Sequence, residues 1–160
     1  MMELEARIRR LEDIEEIRKL KALYCSLVDG AVAGDASKAV LLVDFCVPGA
    51  WADFGDFGRF EGQEGLLLFF RDVVPGILSY SAHMAHNPVI SVEGDSARGE
   101  WVFEVPSTLR ANDMAGWLQG RYFEEYDRTL QGWRFKSITA VFDYATPFDE
   151  GWAKRRMFSL

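Results

Sequence analysis

This chain of 160 residues has only two histidines, and both fall in one short stretch, Ser81-Ala82-His83-Met84-Ala85-His86-Asn87. Histidine is the side chain whose ordinary ionisation best suits proton transfer near neutral pH, so this stretch is the first place to look for acid–base chemistry. Far upstream, Tyr24-Cys25-Ser26-Leu27-Val28-Asp29-Gly30 supplies a phenol and a carboxylate. Loss of water beside an acidified C–H needs a base for the proton and an acid for the departing hydroxyl. An Asp-oriented imidazole can do both in turn. A tyrosine hydroxyl can stabilise the charge that develops. The expectation is that Tyr24, Asp29 and His83 meet in one pocket. Each also has a duller reading: core packing for Tyr24, a helix-end residue in Asp29, a satisfied strand histidine in His83.

These groups need elements to hold them. Ile8, Leu11, Ile14, Ile17, Leu20, Leu23, Tyr24, Leu27 and Val28 recur at three- and four-residue intervals with Glu, Arg and Lys between them, which predicts a long amphipathic helix. Gly30 or Gly34 is its expected stop, and Asp35 the N-cap of a second helix through residues 39–45. Two short antiparallel strands are expected at 50–54 and 59–61, then a third helix opening at Gly62 and ending before Pro75. From Ser79 onward, β-branched and aromatic residues alternate with turn signals. Four antiparallel strands are predicted, at 81–92, 97–109, 115–128 and 133–144. Three helices followed by a meander give an α+β domain: a curved sheet wrapped over the helices, with a hollow between them.

Strand alternation constrains the candidates, because only every second residue shares a face. His83, Ala85 and Asn87 are expected on one side, Met84 and His86 on the other. A metal site using both imidazoles would need a helix that Pro88 disfavours, and no paired-Cys spacing exists, so no metal is expected. Trp101 and Phe103 share one face of their strand, and Trp117 and Arg121 share a face of the next. With Trp51, Phe54 and Asn87 they are the candidate lining of a cavity for a flat apolar ligand. Packing of sheet on helix, or a dimer face, is the plainer reading of these rings.

The net charge of −7 argues against nucleic acid or an anionic membrane as partner, since both need clustered Lys and Arg. Nearly half the residues are hydrophobic, 49%, enough for a single domain spanning 1–160. The N-terminal residues contain no long apolar run, so neither a signal peptide nor a membrane span is expected and the location expected by default is cytoplasmic. Cys25 and Cys46 are expected to be buried and reduced.

The order Tyr24-x4-Asp29, Phe60-Glu61-Gly62-x-Glu64, His83-x3-Asn87-Pro88-x-Ile90, Gly94-Asp95-x-Ala97, Gly120-Arg121-Tyr122 and Trp133 resembles the SnoaL-like branch of the nuclear-transport-factor-2-like superfamily. Pro147 to Trp152 adds a likeness to the bile acid dehydratase type. The resemblance implies a conical α+β barrel, with three helices on a strongly curved mixed sheet and a deep pocket in the cone. It implies that Tyr24, Asp29 and His83 occupy the positions of a helix-borne Tyr and Asp and a strand-borne His, as in bile acid and scytalone dehydratases. Scytalone dehydratase carries a second pocket histidine on the next strand. This chain has none there.

The function expected on these grounds is that of a lyase needing no cofactor, a dehydratase of hydroxylated aromatic, steroid-like or polyketide-like small molecules. Isomerisation, release of formaldehyde and dehydrohalogenation begin with the same proton transfer. A non-catalytic module that holds a hydrophobic ligand or dimerises is a second class of function compatible with these residues, and the small subunit of a ring-hydroxylating dioxygenase is a third. Residues 146–160, with Lys154-Arg155-Arg156 among Trp152, Met157 and Phe158, are expected to fold as a lid over the pocket or as a tail tied down by Trp152. Self-association as a homodimer or homotrimer is expected from an outer sheet face rich in large side chains.

Overall fold

The computed structural model describes residues 2–157. Helix α1 runs Met2–Val32 and passes through Gly30, where a Cβ would come within 2.8 Å of Lys38 Cγ on the following helix. It stops at Gly34, whose φ of +103° is open to glycine and strained for other residues. Asp35 then caps α2 (Ala36–Asp44) by accepting the Ser37 amide at 3.1 Å. The first turns of α1 overhang the sheet. Ile8 and Leu11 are 46% and 66% exposed, so the apolar stripe expected to be buried reaches the core only from Ile17 onward.

Strands β1 (Cys46–Asp53) and β2 (Arg59–Glu61) form the expected antiparallel pair around a short helical turn, Gly55–Phe57. The third helix differs from expectation at its end. It begins as α3 (Gly62–Leu68), widens into a π turn (Phe69–Val73) and continues as α4 (Val74–Ile77), so it passes through Pro75. Proline lacks the amide that an ordinary turn needs and its ring crowds the preceding turn. The wider turn, closed by the Val74 amide on the Phe69 carbonyl, makes room for it.

The single strand expected over 81–92 is two strands, β3 (Leu78–Ser81) and β4 (Met84–Glu93), which leaves Ala82 and His83 outside the ladder. Beyond them β5 (Ser96–Leu109), β6 (Ala115–Thr129) and β7 (Gly132–Pro147) form a long meander. The sheet order is β2-β1-β7-β6-β5-β3, with β4 also on β5, and only β1 with β7 runs parallel. This is the α+β cone: three helices packed into a strongly curved, mixed half-barrel. Two register shifts in the β6–β7 pairing, at Gln119/Gly120 and Glu125/Tyr126, mark where the sheet bends.

Alternation along β5 buries Ala97, Gly99, Trp101, Phe103 and Val105, while β6 buries Leu118, Gly120, Tyr122, Glu124 and Tyr126. These two sets form the concave face over α1. Among the described residues no helix is long and apolar enough to cross a membrane.

Candidate active site

Asp29 lies in the last turn of α1, where the negative end of the helix dipole offers a carboxylate nothing. Donors from the β3–β4 break supply what the helix does not. Ser81 Oγ donates to Asp29 Oδ1 at 2.7 Å, and the His83 amide donates to Oδ2 at 2.9 Å. The imidazole Nδ1 of His83 is 2.6 Å from Oδ1. A carboxylate can only accept, so in the neutral imidazole Nδ1 carries the proton and Nε2, without a hydrogen-bond partner among the described residues, offers a lone pair. Ala82 donates its amide to the Pro106 carbonyl of β5, so the next amide, that of His83, points away from β5 and is available to the carboxylate. Side-chain exposures of 11% for His83 and 28% for Asp29 place the pair at a rim, half shielded from water.

His83 and Tyr24 line one hollow, with Phe54, Phe57, Phe70, Phe103, Tyr122 and Phe142 among its walls. Tyr24 stands edge-on to His83 with ring centroids 6.5 Å apart. Burial pushes the Tyr24 phenol well above its ordinary pKa, with neighbouring Tyr122 adding to the rise. Burial is likewise the main cause for Tyr122. Both phenols therefore stay protonated across the neutral range and act as hydrogen-bond donors.

The hollow is narrow, about 50 Å³. At roughly 10–15 Å³ per water position it holds a handful of waters, against about 150 Å³ for an apolar cavity that accepts benzene. Wider hollows exist on the surface, such as one of about 770 Å³ between the start of α1 and the β4–β5 turn, but no member of the Tyr24–Asp29–His83 group lines it. Chemistry and converging walls favour the narrow one, so the deep pocket that the resemblance implied is here a narrow, ring-lined cleft.

The structure brings Tyr24, His83, Phe54 and Phe103 to the hollow, with Asp29 outside its lining and bonded to His83. It does not bring the other candidates to the hollow. Trp51 is half-buried on the outer face of β1 beneath the Arg59 guanidinium, 4.0 Å from its ring centroid. Asn87 is exposed, at a left-handed φ of +50° where β4 bulges against β5. Trp101 shares the concave face with Phe103 but sits deeper, donating its indole N–H to Tyr126 at 3.1 Å. Arg121 is exposed and pairs with Glu100 at 2.8 Å on the outer face. Trp117 also points outward and stacks on Phe148. The physical reason is common to Trp117 and Arg121: alternation defines two sets of residues but not which set faces in. The polarity of Gln119 and Arg121 against Leu118, Tyr122 and Tyr126 is the signal that could have found Tyr122.

Residues 148–157 do not cover the hollow; none of them lines it. They turn back beside β7, where the Ala145 amide donates to the Arg156 carbonyl at 2.9 Å and Trp152 stacks on Tyr144. The expected lid is thus, over these residues, a strap tied to the end of β7, and Phe158 lies outside the described residues. Cys25 and Cys46 are buried free thiols.

The fold and site together define the nuclear-transport-factor-2-like cone, and the sequence narrows the assignment. Residues 9–139 match the SnoaL-like domain, so the chain belongs to the SnoaL-like family. Among curated proteins none matches this sequence. A hexachlorocyclohexane dehydrochlorinase (LinA) type 2 is structurally similar at 20% identity and a TM-score of 0.79, over 89% of this chain and 93% of that one. A putative aromatic ring hydroxylase from Novosphingobium aromaticivorans matches at 27% identity and 0.72, over 82% and 90%. A putative scytalone dehydratase from the same organism matches at 16% identity and 0.75, over 86% and 89%.

Proposed function

We propose that this protein is a cofactor-independent lyase, a dehydratase acting on a hydroxylated aromatic, steroid-like or polyketide-like small molecule. The observation that carries the reading is the imidazole held by Asp29 at 2.6 Å with its other nitrogen free, beside an apolar hollow. His83 Nε2 takes the proton from the acidified C–H, Asp29 stabilises the imidazolium that forms, and the same proton then goes to the departing hydroxyl. Tyr24 donates to the oxygen on which charge builds. The structural likeness to a dehydrochlorinase and a putative scytalone dehydratase supports eliminations as the reaction type. Isomerisation, dehydrohalogenation or loss of formaldehyde would use the same proton transfer.

The test is incubation of the protein with a panel of hydroxylated ring compounds, read by mass spectrometry for loss of water or of a one-carbon fragment. Turnover by the native protein that His83→Ala lowers by about a hundredfold or more is the expected result. Turnover unaffected by that substitution overturns the reading. The narrowness of the hollow favours one second reading, a module that binds a small hydrophobic ligand without changing it. Binding of panel compounds with no product at any enzyme concentration would establish that instead. Self-association as a dimer or trimer through the outer sheet face, where Val89, Phe123 and Val141 are 69%, 44% and 49% exposed, belongs to the same proposal.

A further inference from the structure

One buried charged pair has no task in the steps above. Lys21 and Glu124, with side chains 1% and 0% exposed, meet at 2.5 Å under the floor of the hollow. The second oxygen of Glu124 accepts the Tyr126 hydroxyl, which itself accepts the Trp101 indole N–H. Taking two charges out of water costs about as much as their attraction returns, and replacing such a pair by uncharged residues of like volume commonly leaves stability unchanged or raised. Stability therefore does not explain the pair.

The pair has a direction. Lys21 Nζ lies 4.0 Å from the centroid of the Tyr24 ring and 3.5 Å from that of Tyr122, and both rings line the hollow beside His83. The carboxylate end is tied to Tyr126 and Trp101, which do not line it. The ammonium thus stands directly behind the two phenols that face the reacting group, in a setting where little water screens it.

We propose that Lys21 and Glu124 are a positioning pair. They fix Tyr24 and Tyr122 as two donors toward one oxyanion, so the site suits a substrate whose acidified C–H lies next to a carbonyl. The inference rests on the lyase reading and names its substrate class. When His83 removes the α-proton, the C–H electron pair becomes the C=C of an enolate and negative charge moves to the carbonyl oxygen, where the two hydroxyls donate. The enolate then re-forms the carbonyl, the β C–O bond breaks, and the imidazolium returns its proton so that water leaves. Cation contact with both ring faces holds the two phenols in one arrangement beside that charge.

The test uses the whole protein and 4-nitrophenol as probe, because its ionisation is visible by absorbance and needs no turnover. Bound to the native protein, 4-nitrophenol should ionise at a pH at least about one unit below that of the free compound. In the Lys21→Met/Glu124→Gln double variant, which keeps an acceptor for Tyr126, the protein should fold with an unchanged or higher melting temperature while that shift disappears. Leu42→Ala, a core change in α2 outside the lining of the hollow, should lose stability and keep the shift. On any substrate found by the panel, the double variant should lose tenfold or more in kcat with little change in KM. An equal shift in native and double-variant protein, or no binding of 4-nitrophenol to the native protein, overturns the proposal. The two readings fail separately: activity unaffected by His83→Ala removes the lyase assignment, whereas an unaltered probe shift removes the positioning pair.

Discussion

His83 is held to Asp29 by its own backbone as well as by its ring, since the amide donates to one carboxylate oxygen and Nδ1 sits against the other. Truncation at position 83 therefore leaves the carboxylate anchored by Ser81 and the residue-83 amide. His83→Ala should lower turnover by about 10²–10⁴-fold with little loss of stability, and free imidazole added to the variant should restore part of the rate; a rate unmoved by imidazole would count against Asp29 as the orienting group. His83 stood out as a candidate in the sequence through scarcity, since two histidines leave few choices, while Tyr24 and Asp29 were picked out by their spacing in the family resemblance. Tyr122 and Lys21 were not. Tyr122 sits on the inward set of a strand whose facing alternation alone does not decide. Lys21 stands four residues after Ile17 and three before Tyr24, on the apolar face of the helix, where it is 1% exposed; its partner Glu124 meets it from the sheet 103 positions later. No local pattern encodes a partner that distant.

At the scale of elements, the bend of β6 against β7 forms the wall of the hollow, and Gly120 makes the bend possible. A Cβ there would lie 2.1 Å from the Val141 carbonyl oxygen and 2.8 Å from Phe103 Cζ. Gly120→Ala should cost about 3 kcal/mol or more, measured by denaturant unfolding; a variant as stable as the native protein would show that the strands can separate freely there. The turn carrying Phe57 is the opposite case. It hangs between Gly55 and Gly58, at φ of +60° and +106°, and Phe57 closes on Phe142 with centroids 5.6 Å apart. Because the narrow hollow must widen as a ring compound enters, Phe57→Ala should raise the association rate of panel compounds in stopped-flow measurements, and an unchanged rate would place the entrance elsewhere. The strands and helices were readable from periodicity and turn residues. The helix through Pro75 was not, since proline forbids an ordinary turn and nothing local announces a wider one.

For the molecule as a whole, a clamp far from the site ties the start of α1 to the sheet. Arg128 donates to Asp13 at 2.7 Å and to Asp95 at 3.0 Å, while the Trp133 indole donates to Asp13 at 3.2 Å. The Arg128 hydrogen bond holds the Asp13 carboxyl below the usual 3.8, against the opposing pull of burial. A carboxyl depressed in the folded state stabilises at pH values above its unfolded pKa, and that contribution fades as pH falls through the folded one. Asp13→Asn should therefore melt below the native protein at pH 7, with the gap shrinking as the pH drops under 3.8; a gap constant with pH would mean the clamp acts by packing alone. On the outer sheet face, Phe123→Asp should convert a dimer or trimer to monomer in sedimentation experiments, and a native protein that is already monomeric would remove self-association from the reading. The cone was legible at this scale because three helices followed by a meander leave few ways to bury one apolar face.

The single surplus residue in the Phe69–Val73 turn turns two consecutive phenylalanines, 4% and 1% exposed, toward the interior, which an ordinary helix facing one side seldom does. Restoring an ordinary turn there would rotate one of the two rings away from the interior, so the calibre of the binding chamber hangs on one residue that touches neither His83 nor Asp29.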